Sequence, residues 1–384
     1  MNWKAKPLGS CIEVFDSCRR PVTKKDRVLG PYPYYGASGI VDYVDSYIFE
    51  GLHVLVAEDG ENLRSRKLPI AYLADGRFWV NNHAHVLRAN DENDTRFLSY
   101  MIESLDLSGF ITGSTQPKLS QAALLSIPLR LPKLAEQRRI AGVLGVLDDK
   151  IESNCAQQRI GEQLLRAVIE GILGQFSEAD FISFDAYCTQ SKESVRPENI
   201  GNGDKYIALE HMPRGSVFLN SWETAKLAGI ASNKTRFRHG DLLFGKLRPY
   251  FKKVGVAPVS GVCSTDILVI RPRLPEFLPF IAVIASSDAL IDSISASATG
   301  TRMPRASWKE IATWPVPQIP DETLTVLLHP ANQLMAFLET LSLQNLKLAQ
   351  LRDALLPELM SGRMRVDEAG RLVSEALDEE VADV

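Results

Sequence analysis

Between Pro132 and about Gln175, and again around and beyond Pro330, apolar residues return every seven positions. In the first stretch Ile140, Leu147 and Val168 form one series, and Leu144, Ile151, Leu165 and Ile172 a second. In the second stretch Leu327, Leu334, Leu341, Leu348 and Leu355 form one series, with Ala331, Leu338 and Leu359 on the other. Both stretches keep one phase, each second position lying 187 residues beyond its first-stretch counterpart. Heptads sustained this far predict long helices in a coiled coil. The bland reading is two amphipathic helices on separate cores, and the shared phase argues against it. Asn154, Gln158 and Gly161 interrupt the first seam, and Asn345 and Arg352 the second. Polar seam residues cost stability and fix register. Solvent exposure, or contact with a further subunit, is the competing explanation.

The segment before each helix also repeats. Thr112-Gly113-Ser114-Thr115-Gln116-Pro117-Lys118 parallels Thr299-Gly300-Thr301-Arg302-Met303-Pro304-Arg305 at the same offset, and Pro128 matches Pro315. A duplicated chain is therefore expected. It has a first globular unit over 1–132, its helix over 133–175, a second unit over 176–320, its helix over 321–365 and a tail over 366–384. Within each unit the pattern is short strands and turns. Tyr35–Tyr43 sets turn glycines beside an alternating run, and His53–Ala57 and Ile267–Ile270 are compact apolar runs of strand length. The fold class this predicts is α+β: two pseudo-repeated domains joined by two long antiparallel helices.

Charge changes the picture locally. The 384 residues carry a net charge of −4, but 366–384 holds seven acids against Arg371, which leaves the rest of the chain at +2. The acidic tail predicts disorder. From Ile230 to Gly255 there are seven Lys/Arg against Asp241 alone. The five cysteines are scattered, with no Cys-x-x-Cys pair, which weighs against a disulfide framework or a zinc ribbon. No signal-peptide pattern and no apolar run of about 18 residues occur, so a soluble cytoplasmic protein without a membrane partner is expected.

Three motifs bear on identity in the first unit: Tyr34-Tyr35-Gly36-Ala37-Ser38-Gly39-Ile40-Val41, Glu58-Asp59-Gly60 and Trp79–Leu87. The second unit carries Leu243-Phe244-Gly245-Lys246-Leu247-Arg248-Pro249-Tyr250 and Gly261–Asp266. The helices open with Leu134-Ala135-Glu136-Gln137-Arg138-Arg139-Ile140 and close with Leu355–Gly362. In this order the chain resembles the DNA-specificity (S) subunit of a type I restriction–modification system over nearly its whole length. The second helix start, Pro320–Leu324, departs by lacking the Glu-Gln-Arg-Arg run. The resemblance implies a subunit without catalysis that reads a two-part sequence in double-stranded DNA, one part per target-recognition domain. It implies two modification (methyltransferase) subunits and restriction/translocase subunits as partners. S-adenosylmethionine, ATP and Mg would be bound by those partners, and no cofactor by this chain. A coiled-coil adaptor that never touches DNA and a standalone DNA-modifying enzyme are the alternatives.

The candidate DNA-binding residues follow from charge and position. Lys234, Arg236, Arg238, Lys246, Arg248, Lys252 and Lys253 alternate with Phe237, Phe244, Tyr250 and Phe251. Lysine and arginine neutralise phosphates, and arginine reads guanine bidentately. A solvated loop over an aromatic core is the bland alternative, and Arg248 before Pro249 could be a buried structural arginine. Ser114, Thr115, Gln116 and Lys118, with Arg302 and Arg305 in the second copy, put hydroxyls and cations just before a helix-like segment. That suits a phosphate or a capping turn. Gly240–Lys246 has phosphate-loop spacing, but Leu247 stands where Ser or Thr should hold magnesium, so a strand is the better reading. His83 and His85 read as packed or hydrogen-bonding rather than metal-binding, and Glu58-Asp59 as a turn. No Asn-Pro-Pro-Tyr-type methyltransferase motif is found.

Overall fold

The computed structural model describes residues 4–176, 180–297 and 304–382. They form two compact units, one of residues 1–149 with 349–384 and one of residues 150–348, so each long helix contributes to both.

In the first unit the strands are β1 (Lys4–Pro7), β2 (Ile12–Val14), β3 (Tyr32–Gly36), β4 (Gly39–Val44), β5 (Phe49–Glu50), β6 (His53–Ala57), β7 (Ala71–Ala74), β8 (Arg77–Val80), β9 (Ala84–Ala89) and β10 (Pro128–Leu131). Two four-stranded sheets, β2-β9-β6-β7 and β4-β3-β8-β5, share a core that includes Leu55, Phe49, Phe78, Val80, Ala84 and Val86. β6 is buried throughout, as its unbroken apolar run requires. The helices here are α1 (Asn62–Ser65), α2 (Thr95–Ser104), α3 (Gln121–Ser126) and the start of α4 (Leu134–Gln175). Asp94 caps α2 by accepting from Phe97 N, and Ser120 caps α3 from Ala123 N.

The second unit holds β11 (Phe181–Ser183), β12 (Cys188–Ser191), β13 (Ser194–Val195), β14 (Lys205–Ile207), β15 (Glu223–Thr224), β16 (Lys234–Phe237), β17 (Leu242–Gly245), β18 (Val254–Val256), β19 (Gly261–Cys263), β20 (Ile267–Pro272) and β21 (Pro315–Pro317). Its helices are α5 (Leu278–Ala285), α6 (Asp288–Ser297), α7 (Trp308–Ala312) and most of α8 (Asp321–Ser361); α9 (Val366–Ala382) belongs to the first unit.

Topology repeats strand for strand. The order β12-β20-β17-β18 reproduces β2-β9-β6-β7, and β16-β19-β14-β15 reproduces β5-β8-β3-β4, with β13 added at the edge. Pairing sense agrees as well. β3·β8 and β14·β19 are parallel, while their neighbours in those sheets are antiparallel. β1·β10 and β11·β21 close each unit as antiparallel pairs. The core of Ile207, Phe237, Leu243, Cys263, Ile267 and Val269 lies between the second pair of sheets as its counterpart does in the first.

The expected long helices are present, and the α+β class with them. Within the second unit α4 and α8 run antiparallel. Asn154 Nδ2 donates to Gln344 Oε1 (3.4 Å), Gln158 Nε2 to Ser342 Oγ (2.8 Å), and the Cα of Gly161 faces Leu338. In the first unit Arg352 Nη1 pairs with Asp148 Oδ1 (2.8 Å), and Tyr100 donates to the same carboxylate. Asn154 and Asn345 are 0% and 6% exposed, so solvent exposure does not explain the interrupted seam. Their side chains bond across it, and among the described residues both carbonyl oxygens stay buried without a partner.

One expectation needs correction. The tail is a helix, α9, because Val366, Ala369 and Val373 form an apolar stripe that is buried, and Asp367 pairs with Arg139. Its acids lie largely off that stripe, so the overall charge did not prevent packing. The departure at the second helix start also has a physical form. In the first unit Gln137 is buried and bonds Asn93, Pro132 O and Asp94 N. Its counterpart Leu324 is buried without polar partners, and Tyr187 Oη instead engages Pro317 O and Ile319 N.

Candidate nucleic-acid interface

The turns that follow β6 and β17 are tied down by the same three backbone hydrogen bonds. In the first unit Glu58 N donates to His83 O (2.9 Å), Leu119 N to Glu58 O (2.8 Å) and Gly60 N to Pro117 O (3.0 Å). In the second, Lys246 N donates to Asp266 O (2.8 Å), Ala306 N to Lys246 O (2.8 Å) and Arg248 N to Pro304 O (3.0 Å). The bridges Asp59–Lys118 and Leu247–Arg305 complete each knot. After it comes a left-handed residue, Gly60 (φ 106°) or Arg248 (φ 51°), then a short helical turn. A second left-handed residue follows, Arg66 (φ 47°) or Lys252 (φ 50°). Pro117-Lys118 of the first motif and Pro304-Arg305 of the second thus dock on matching turns.

In the first unit the knot is nearly charge-balanced. Arg19 Nη1 donates to Glu58 Oε2 (2.6 Å) and to Ala84 O (2.8 Å), and its Nη2 lies 3.4 Å from Asp16 Oδ2. Lys118 Nζ reaches Glu58 Oε1 at 3.2 Å. His85 is buried, with Nδ1 on Asp16 Oδ2 (2.6 Å) and Nε2 on Leu119 O (2.8 Å). Burial pushes the Glu58 carboxyl up, but bonds from Arg19 and Lys118 and the charge of His85 outweigh it and hold it below the usual range. Asp16 is likewise raised by burial and more strongly lowered by His85 and Val86 N. His83 bonds Asp59 at 2.8 Å. Both histidines are hydrogen-bonded, and no metal-binding cluster of His, Cys, Asp and Glu occurs among the described residues.

Above this knot Ser114, Thr115 and Gln116 are exposed on a loop whose carbonyls at Gly113 and Ser114 accept from Arg64. Gly113 (φ 85°) is required there, since a Cβ would lie 2.2 Å from Gln116 O. Arg20, Lys24 and Lys25 are also exposed, on a loop pinned by Val22 N to Tyr34 Oη (2.9 Å) and Trp79 Nε1 to Arg20 O (2.6 Å). Five Lys/Arg within Arg19–Arg27 mark this loop in the sequence.

In the second unit the basic segment divides by what each cation touches. Lys234 is buried, bonds Ser232 Oγ (2.8 Å) and sits over the Tyr206 ring, so it does not belong to an exposed phosphate-contact set. Lys253 donates to Leu209 O, and burial, then Arg214, holds its ammonium below the ordinary range. Lys253 is thus half-buried with its ammonium turned to a carbonyl of its own unit. Arg236 and Arg238 lie 3.7 and 3.8 Å from Glu193, and Lys246 caps Thr265 O. Lys252 pairs with Asp288 and Arg305 with Asp266 (3.3 Å). Arg248 is exposed rather than buried, and Tyr250 beside it is 49% exposed. Arg302 lies outside the described residues. The phosphate-loop spacing at Gly240–Lys246 is a strand: Leu242–Gly245 is buried throughout, and Asp241 holds Arg271 through both carboxylate oxygens (2.8 and 2.7 Å).

Residues 1–160 match the family model described as the type I restriction modification DNA specificity domain. Over 386 aligned residues the chain is 22% identical to the EcoDI specificity subunit of Escherichia coli, covering 90% of this chain and 84% of that one. The MjaIX specificity subunit of Methanocaldococcus jannaschii is 21% identical over 96% of this chain and 94% of its own. Residues 1–160 therefore carry that domain's family match, and the chain is similar to type I specificity subunits over most of its length. Similarity to a specificity-subunit relative from Haemophilus influenzae is higher, 37%, but spans 148 residues, 38% of this chain and 37% of that relative's length. The fold agrees with the crystal structure of a type I S subunit from M. genitalium, with a TM-score of 0.59 at 16% identity over 93% of this chain and 96% of that one. Among the described residues no single helix is long and apolar enough to cross a membrane.

Proposed function

We propose that this chain is a specificity subunit that binds double-stranded DNA and reads a two-part target, one part through each strand-for-strand repeated unit. The observation that carries this reading is the duplicated knot. Two matching loop clusters, each framed by a sheet pair with its own core, give two separate surfaces from one chain. Side chains on such loops are placed by rigid sheets, which is the arrangement that recognition needs. Phosphate contacts would supply affinity and base-edge contacts specificity. In this reading the chain itself performs no chemistry. Two methyltransferase subunits and restriction/translocase subunits dock on it and bring S-adenosylmethionine, ATP and Mg, in the cytoplasm.

Methylome sequencing of a host with and without the gene tests the proposal. Loss of one bipartite methylated-adenine motif is the expected result. Replacing residues 176–320 by the matching unit of a relative should then change one half of that motif. An unchanged methylome, or methylation by the purified chain alone, would refute the assignment.

A further inference from the structure

Arg248 has a backbone that its side chain disfavours. Its φ of 51° and ψ of 64° are left-handed, and Pro249 follows. Left-handed backbone costs any residue with a Cβ more than it costs glycine, and a residue before proline favours extended backbone. In the first unit the residue that makes the same hydrogen bond is Gly60. The fold therefore builds this turn with glycine once and with arginine once.

The arginine side chain returns only a distant ring contact to the turn. It is exposed, and among the described residues its guanidinium has no hydrogen-bond or ion-pair partner; the Phe251 ring centroid is 6.0 Å away. The surrounding cations are engaged: Lys246 on Thr265 O, Lys252 on Asp288, Lys253 on Leu209 O, Arg305 on Asp266, and Arg214 stacked on Phe251 at 4.1 Å. At the first-unit knot the cations Arg19 and Lys118 are both paired with carboxylates.

We propose that Arg248 is a phosphate-gripping residue held out by a strained turn. The proposal rests on the DNA-binding reading above. A positive cluster with one uncommitted guanidinium suits a phosphate, a charge that carries no sequence information.

The test is equilibrium binding of the full-length chain to a duplex of arbitrary sequence and to its target duplex, across 50–200 mM salt. Arg248→Gly should weaken binding to both duplexes and make the log K against log salt slope shallower by about 0.9. The affinity lost across that salt range then shrinks by about 3.5-fold. Its thermal midpoint should equal or exceed that of the wild type. Arg248→Ala should lose the same slope, and Arg248→Lys, still a point charge, should keep it. An unchanged slope in Arg248→Gly would overturn the proposal, and so would a lowered midpoint, which would make the arginine structural. Relaxed preference at one half-site, with Lys unable to substitute, would make it a base reader instead. If the wild type shows no salt-dependent duplex binding, the DNA-binding reading itself falls.

Discussion

Arg19→Met removes the cation that lies between two largely buried carboxylates. Arg19 is 14% exposed at its side chain, Glu58 14% and Asp16 8%. The substitution fills a similar volume and deletes the 2.6 Å bond to Glu58 and the 2.8 Å bond to Ala84 O. A buried ion that loses its only partner costs about 3–5 kcal/mol. Here Lys118 remains on Glu58 and His85 on Asp16, so the expected loss is smaller, about 2–4 kcal/mol. For a unit of this size that corresponds to a midpoint lower by about 5–15 °C. Hydrogen exchange should locate the loss in β6 and β9 and leave β17 and β20 unaffected. The acid limb gives a second readout. The folded Glu58 and Asp16 carboxyls lie below their unfolded values. Their contribution is therefore present above about pH 4 and lost as pH falls through the lowered folded values. Without Arg19 the lowering shrinks, so these two carboxyls should contribute a smaller acid-dependent loss, and stability should fall less steeply below about pH 4. A variant with the wild-type midpoint and the wild-type acid profile would refute the role given to this knot.

Further substitutions separate packing from charge. An added Cβ at Gly161 would lie 2.4 Å from Leu338 Cδ2, so Gly161→Ala should cost about 1 kcal/mol despite better helix propensity. Combined with Leu338→Ala it should cost less than the sum of the two, and additive denaturation energies would contradict the contact. Lys253→Ala should lower stability by about 1–2 kcal/mol through the lost bond to Leu209 O, yet leave the salt dependence of DNA binding unchanged. A shallower salt slope would return Lys253 to the DNA. Val373→Asp puts a charge at a position 5% exposed and should release α9, read as a loss of helical circular dichroism; undiminished helicity would mean that the stripe does not hold this helix.

Sequence periodicity was enough to define the two long helices, their shared phase and the duplication, because heptad spacing and a 187-residue offset are properties of the chain alone. Unbroken apolar runs located β6 and β20 for the same reason. The charge-rich segment was also legible, but which of its cations are committed was not. Lys234 and Lys253 turn inward because β16, β17 and their neighbours bring Ser232, Tyr206 and Leu209 to them, partners that lie 2, 28 and 44 residues away in sequence. The same holds for His85 and Arg19, whose carboxylates Asp16 and Glu58 meet them only when the strands pair. The tail shows the limit of composition: its acids predicted disorder, while the spacing of Val366, Ala369 and Val373 supplied a buried stripe once α4 stood beside it. Charge counts and periods are local quantities that a sequence states directly. Burial and pairing are properties of surfaces brought together from distant segments, so only the folded chain decided them.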